Sequence, residues 1–365
     1  MNELSNLLYL ANDSFSKGDY RNAIEYFDKL LFYYGDVLEI YNNRGLSKSS
    51  LGMYEEAIKD FDKVIELDSS YVPAYNNIGL VKHNLGLCEE AIEYYKKALE
   101  IDPHCIQAYN NIGLANYNLG NYEEAIKYYN KTLEISKNAH TYNNIGLIKQ
   151  DLGLYKDALE YFHKAIEIDR NYTKAYYNLG LVEYNLKNYN EAIRYFNKVI
   201  ELDPNYVSAY NSIGIVKQDL EQYEEAIKYF DETIDLDYHY FRAYCNRGVS
   251  KLKLNLYKEA EKDFTQCIEI EPKYSSAYYN RAETRFKLKH YIEAIEDYNK
   301  SEELGNVTDD LYFHRGFSRY KISDYENAIK DFDKTKKNIK VTILKFLSKF
   351  KSLFVKKKKQ YLNKL

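Results

Sequence analysis

The chain has 365 residues, 45% of them hydrophobic and 29% charged, with 42 Tyr, no Trp, 15 Gly, 4 Pro and a formal net charge of −4. Its length alone would predict two or three domains, but the low Gly and Pro content and the lack of any Ser-rich or Gly-rich stretch exclude a conventional linker, so one continuous architecture is expected. Cys88, Cys105, Cys245 and Cys267 show neither CxxC pairing nor regular spacing, which excludes a disulfide framework and a zinc ribbon and fits a reducing, cytoplasmic compartment.

The first segment, Met1 to Phe15, carries Glu3 and Asp13 and lacks a basic start, so it is not read as a signal peptide. No later stretch approaches the roughly 20 apolar residues of a membrane-spanning helix. From here on the chain repeats itself. Tyr-Asn-Asn-Ile-Gly stands at Tyr75 to Gly79 and again at Tyr109 to Gly113, 34 residues later. Small residues recur at this step at Ala11, Gly45, Gly79, Gly113, Gly146, Gly180, Gly214, Gly248, Ala282 and Gly316, with one step of 33. Twelve residues after each comes an alanine, from Ala23 and Ala57 through to Ala328, without exception. This predicts ten units, starting near 4, 38, 72, 106, 139, 173, 207, 241, 275 and 309.

Within a unit, Ala74 to Leu85 has helical spacing, Gly86 interrupts it, and Glu89-Glu90 opens a second helix that ends near Asp102-Pro103. The small residues permit close helix approach, and Tyr75, Tyr95 and their equivalents are expected to fill the space between neighbouring pairs. Acidic pairs such as Glu55-Glu56, Glu123-Glu124 and Glu224-Glu225 sit where a first helical turn welcomes negative charge, a structural use that outweighs acid–base chemistry.

Tyr176, Leu179-Gly180, Tyr189, Ala192, Phe196 and Pro204 resemble the pattern of the tetratricopeptide repeat, and the resemblance extends over residues 4–335. It implies an all-α, right-handed superhelical solenoid of antiparallel helix pairs, whose work is to bind other proteins or peptides rather than to catalyse. Two departures stand out: three residues after the marker glycine the usual tyrosine is Lys82, Lys149, Lys217 or Lys251, and the closing proline survives only at Pro103, Pro204 and Pro272.

Two side-chain patterns run across the units. Just before the marker stands Leu or Ile in six units but Arg44, Arg247, Arg281 and Arg315 in the others. Sixteen residues later those same four units carry Asp60, Asp263, Asp297 and Asp331 where the six carry Tyr. Four interhelical ion pairs are therefore expected, leaving units 3 to 7 as a distinct block. Two residues before the marker runs a row of amides, Asn43, Asn77, Asn111, Asn144, Asn178, Asn246 and Asn280, interrupted by Ser212 and ended by His314.

On the concave face that the resemblance implies, this row has two readings: a ladder that grips the backbone of an extended peptide, or a set of bonds between neighbouring repeats. The first is similar to the asparagine ladder of the polypeptide O-GlcNAc transferase. A clamp for acidic chaperone tails fits less well, because Leu46, Leu80, Leu114, Leu147, Leu181, Ile215 and Val249 occupy the position where that clamp begins with asparagine.

Residues 336–365 hold 11 lysines and no Asp, Glu or Arg, against 40 basic and 55 acidic residues in the remainder, so a tail of +11 follows a body of −15. Ile339, Ile343, Phe346, Leu347, Phe350 and Phe354 fall on one helical face, with Lys340, Lys345, Lys349 and Lys356 mostly away from it. The expected amphipathic helix caps the last repeat, docks on an anionic membrane, or folds back on the acidic body. Nucleic-acid binding by Lys356 to Lys359 is not expected, since the body repels phosphates. No phosphate loop, dinucleotide fingerprint or HExxH is present, and the seven histidines share no ligand spacing, so neither a cofactor nor a metal is expected.

Overall fold

A computed structural model describes residues 3–335 and 339–362, and among these every element is an α-helix. The helices fall into two compact units, Met1–Asn178 and Leu179–Leu365. The first holds α1 (Glu3–Ser16), α2 (Tyr20–Tyr34), α3 (Leu38–Ser50), α4 (Tyr54–Leu67), α5 (Val72–Asn84), α6 (Cys88–Ile101), α7 (Ile106–Asn118), α8 (Tyr122–Ile135), α9 (Ala139–Asp151) and α10 (Tyr155–Ile168). The boundary lies within α11 (Thr173–Asn185). The second unit continues with α12 (Tyr189–Leu202), α13 (Val207–Asp219), α14 (Tyr223–Leu236), α15 (Phe241–Lys253), α16 (Tyr257–Ile270), α17 (Ser275–Lys287), α18 (Tyr291–Glu303), α19 (Asp309–Lys321), α20 (Tyr325–Lys334) and α21 (Ile339–Leu362). Successive odd and even helices pair as hairpins, and no helix among the described residues is long and apolar enough to cross a membrane.

Each hairpin closes over one aromatic ring. The marker glycine of the first helix faces the ring sixteen residues later in the second: Gly79 faces Tyr95, Gly113 faces Tyr129 and Gly146 faces Phe162. All ten of the second-helix alanines are fully buried. Tyr95 thus packs inside its own hairpin as well as on Cys105, Ala108 and Ile112 of the next, while half-buried Tyr75 packs on the same cluster from outside. A side chain in place of the marker glycine would push these rings out, which is why small residues recur there.

The turn inside each hairpin needs one residue in the left-handed region. In the first five hairpins it is glycine, at Gly18, Gly52, Gly86, Gly120 and Gly153, with φ between 71° and 78°. In the last five the same position is Lys187, Glu221, Asn255, Lys289 and Ser323, with φ between 59° and 68°. Gly86 N–H donates to His83 O at 2.9 Å and Leu87 N–H to Lys82 O at 2.9 Å, the paired closure that ends a helix on a left-handed residue. Glu221 N–H and Gln222 N–H close the α13 turn in the same way, at the cost of strain on a β-carbon. Replacing Glu221 by Gly therefore raises stability by roughly 0.5–1 kcal/mol; urea midpoints of the two chains measure it, and a lower midpoint for Glu221→Gly would reject the strain.

Between hairpins, the residue that ends the second helix folds the chain back with its own carboxylate. Asp68, Asp102, Asp203 and Asp237 each accept the backbone N–H two residues on, at 2.8, 2.9, 3.0 and 2.9 Å. This side-chain turn forms both where the closing proline is present, at Pro103 and Pro204, and where it is missing, after Asp68 and Asp237.

Candidate functional site

The amide row lies on the first helices, and the structure splits it into bonded and unbonded members. Asn77 donates to Asn42 Oδ1 of the preceding hairpin at 3.0 Å, Asn178 to Asn143 Oδ1 at 2.8 Å and Asn246 to Asn211 Oδ1 at 3.2 Å. Asn280 reaches Cys245 Sγ at 3.8 Å, and Asn43 accepts from its neighbour Asn42 at 3.2 Å. The row is therefore partly a set of bonds between repeats.

Two steps within the first unit break this pattern. Asn76, which would receive Asn111, turns its amide nitrogen to Cys105 Sγ at 3.3 Å and leaves its Oδ1 buried with no hydrogen-bond partner. Asn111, half-buried, makes no side-chain hydrogen bond among the described residues. At the next step Asn110 Oδ1 accepts from Thr141 Oγ1 at 2.9 Å, and Asn144 bonds the hydroxyl of buried Tyr129 instead. The cause is visible at the entry to each hairpin. Tyr71, Tyr172, Tyr206, Tyr240 and Tyr274 precede the first helix in five other hairpins, but here the residue is Cys105 and then Asn138, whose carboxamide caps α9 by accepting Thr141 N–H at 2.8 Å.

Around this opening the α5 and α7 faces carry Leu80, 40% exposed, and Leu114, 37% exposed. His83 Nε2 and Asn118 Nδ2 lie 2.7 Å apart, and Tyr117 donates to Asp151 Oδ2 at 2.6 Å. That bond, with burial, pushes the Tyr117 hydroxyl up to about 12. Gln150 Oε1, seven residues beyond Asn143 on α9, is a second buried acceptor with no partner. Two unfilled buried amide acceptors thus lie on the helices that carry the exposed leucines and on α9, each a standing cost of about 1–3 kcal/mol that a new N–H partner removes.

The four arginines meet the four aspartates expected for them, and the contact is larger than a pair. Arg44 Nε lies 2.9 Å from Asp60, Arg247 Nη2 2.7 Å from Asp263, Arg281 Nη2 2.7 Å from Asp297 and Arg315 Nη2 2.7 Å from Asp331. One turn along the same helix a second cation grips each carboxylate: Lys48 at 2.7 Å, Lys251 at 2.7 Å, Arg285 at 2.8 Å and Arg319 at 2.7 Å. A second acid then arrives from the preceding hairpin, Asp28 on Arg44 and Asp231 on Arg247 at 2.6 Å, Glu261 on Arg285 at 2.7 Å and Glu302 on Arg315 at 2.6 Å. Each cluster holds two anions and at least two cations, Lys334 joining Glu302 at 3.0 Å as a third in the last, and each ties three helices together. Burial opposes the Glu302 charge, but Arg315, Lys334 and Tyr312 outweigh it and hold that carboxyl at about 2.

The lysines that replace the usual tyrosine have a partner in every case. Without an aspartate to grip, Lys82 pairs with Glu90 and Lys217 with Glu225 at 2.7 Å, and Lys149 with Asp157 at 3.7 Å. The acidic residues opening the second helices therefore act as ion-pair partners within the hairpin.

The C-terminal helix corrects one expectation. α21 packs on Ala328 and Phe332 through Val341 and Leu344, with Ser348 fully buried. The apolar face expected from the sequence is not the one that caps the last repeat, for Ile343, Phe346 and Phe350 are 53%, 68% and 63% exposed, and Leu347 is 37% exposed. The helix carries two apolar stripes. Against the close-set rings of Phe313, Phe317 and Tyr320 the slimmer stripe fits, because Ser348 folds its hydroxyl onto Leu344 O at 2.7 Å. Lys345 pairs with Asp333, and Lys351 donates to the Tyr320 hydroxyl at 2.7 Å. The side chains of Ile339, Lys340, Phe354 and Lys356 to Lys359, named in the sequence analysis, lie outside the described residues.

Family models described as tetratricopeptide repeat match residues 36–103, 72–138 and 104–171, 173–206 and 241–274, and 195–228 and 264–296. No curated protein matches the sequence. Among solved structures, the chain is similar to YrrB, described as a TPR protein with an unusual peptide-binding site, at 28% identity over 50% of this chain and 95% of the other, with a TM-score of 0.39. It is also similar to PilF of Pseudomonas aeruginosa, at 24% identity over 56% and 93%, TM-score 0.49, and to yeast Tom70, at 15% identity over 96% and 96%, TM-score 0.46.

Proposed function

The chain belongs to the tetratricopeptide repeat family, and from that premise we propose that this protein-interaction scaffold takes an extended peptide segment across the first helices of its third to fifth repeats. Residues 4–335 serve as the repeat body. The observation that carries the reading is the broken amide row: among the described residues Asn76 Oδ1 is buried without a partner and the Asn111 side chain makes no hydrogen bond. The Asn111 carboxamide, donor and acceptor at once, serves one peptide backbone group, and the Asn76 side chain, turning outward as the segment docks, offers its unfilled Oδ1 to a peptide N–H. Leu80 and Leu114 supply apolar rungs for alternate side chains of the same segment.

Family membership supports protein binding as the work of the chain, and the local geometry supports this stretch as the place. Asn77, Asn178, Asn246 and Asn280 hold repeats together in this reading, Asn43 bonds its neighbour Asn42, Asn144 holds Tyr129, and Asn111 is the member left for a ligand.

The test separates the two roles. Peptides selected from a displayed library against the full chain are titrated against Asn76→Leu, Asn111→Ala and Asn178→Ala. Asn76→Leu and Asn111→Ala weaken binding about tenfold or more, one to two hydrogen bonds' worth, with little change in melting. Asn178→Ala leaves Asn143 Oδ1 buried and bare, and it lowers stability by about 1–3 kcal/mol with binding retained. Equal loss of binding in all three, or none in the first two, would reject the site.

A further inference from the structure

We propose that the outer face of α21 is a docking surface for an anionic bilayer, with Ile343, Phe346, Leu347, Phe350 and Leu353 seated at the headgroup–acyl boundary. These five recur at helical spacing and form one stripe, and four of them are more than half exposed, Leu353 at 62% among them. The stripe is separate from the capping face. On a helical wheel it is centred about 150° from Val341, Leu344 and Ser348, so the helix grips the last hairpin with one side and leaves the other pointing away from it.

Charge points to the partner. Residues 336–365 carry 11 lysines and no acidic residue, and Lys349 is exposed at the border of the stripe. An apolar stripe alone or a basic patch alone gives weak surface binding; the two together give a stable anchor. The −15 of the body does not cancel this, because charges beyond a Debye length of about 10 Å from the lipid are screened at ordinary ionic strength.

The experiment uses the full chain and sucrose-loaded vesicles, either phosphatidylcholine alone or phosphatidylcholine with phosphatidylserine. The wild type sediments with the phosphatidylserine vesicles, and F346S/F350S loses about tenfold or more of that partitioning. Melting of the double variant is unchanged, since neither ring belongs to the capping cluster. The chain has no tryptophan, so F350W gives a single reporter whose emission shifts to the blue on the same vesicles. The proposal is overturned if the wild type ignores phosphatidylserine vesicles, or if F346S/F350S partitions equally. It is overturned too if the wild type self-associates while the double variant stays monomeric and neither binds vesicles, which makes the stripe an interface between copies.

Discussion

Asp263→Ala costs the chain about 3–5 kcal/mol, because it removes one charge from a buried cluster and leaves its partners behind. Asp263 is 4% exposed and accepts Arg247 and Lys251 at 2.7 Å each. Without it, Arg247 keeps only Asp231, on α14, and sits between α15 and α16 with half its donors unmet. Burial opposes the Arg247 charge, and Asp263 first and Asp231 second outweigh it, so that its pKa lies above the ordinary value.

The six repeats without the cluster show the remedy. Arg247→Ile with Asp263→Tyr installs the residue pair of the preceding repeat, Ile213 and Tyr229, whose equivalents Ile78 with Tyr94 and Ile145 with Tyr161 share apolar clusters, and it restores stability to within about 1.5 kcal/mol of wild type, as volume-matched replacement of buried ion pairs does. Lys251 is then free to turn to Glu259, the place that Glu225 holds for Lys217. Urea denaturation of the single and double variants gives the coupling. A mild Asp263→Ala, or a double variant as unstable as the single, would show that the cluster does not bear on stability.

That exchange also shows what was legible in the sequence. The ten hairpins were, because the contact of marker glycine and ring is dictated by steric volume, and every copy obeys it. Half of each charged cluster was, since arginine and aspartate change together at a fixed spacing within a repeat. The second acid was not: Asp28 and Asp231 stand sixteen residues before their arginine, but Glu261 and Glu302 reach in from other positions. In those two repeats the position sixteen before the arginine is Thr265 or Asn299, which accepts from the same guanidinium at 3.1 or 2.8 Å without supplying a charge.

The amide row was legible as a row, but not its opening. The signal lay outside it, in Cys105 and Asn138 standing where other repeats begin with tyrosine, and only the bonds those residues draw from Asn76 and Thr141 give it meaning. The two stripes of α21 were ambiguous for a physical reason. Both are apolar, and the choice between them depends on how closely the rings beneath can be approached.

Gly113→Ala destabilises the chain by about 1–3 kcal/mol although alanine is the better helix former by about 1 kcal/mol. Its β-carbon would stand 2.6 Å from Tyr129 Cε1 and 2.7 Å from Cδ1. Tyr129 cannot yield, being 1% exposed and held at its hydroxyl by Asn144. The converse change, Ala282→Gly, also costs about 1 kcal/mol, because that hairpin has settled around alanine facing Tyr298 and loses helix propensity and a methyl contact. Losses in both directions mark helix separations set repeat by repeat, whereas a general preference for alanine would make Gly113→Ala stabilising. Urea midpoints distinguish these. With Tyr129→Leu as background the cost of Gly113→Ala shrinks, since the atoms that the β-carbon meets are gone; an undiminished cost would place the strain in the backbone instead of at the ring.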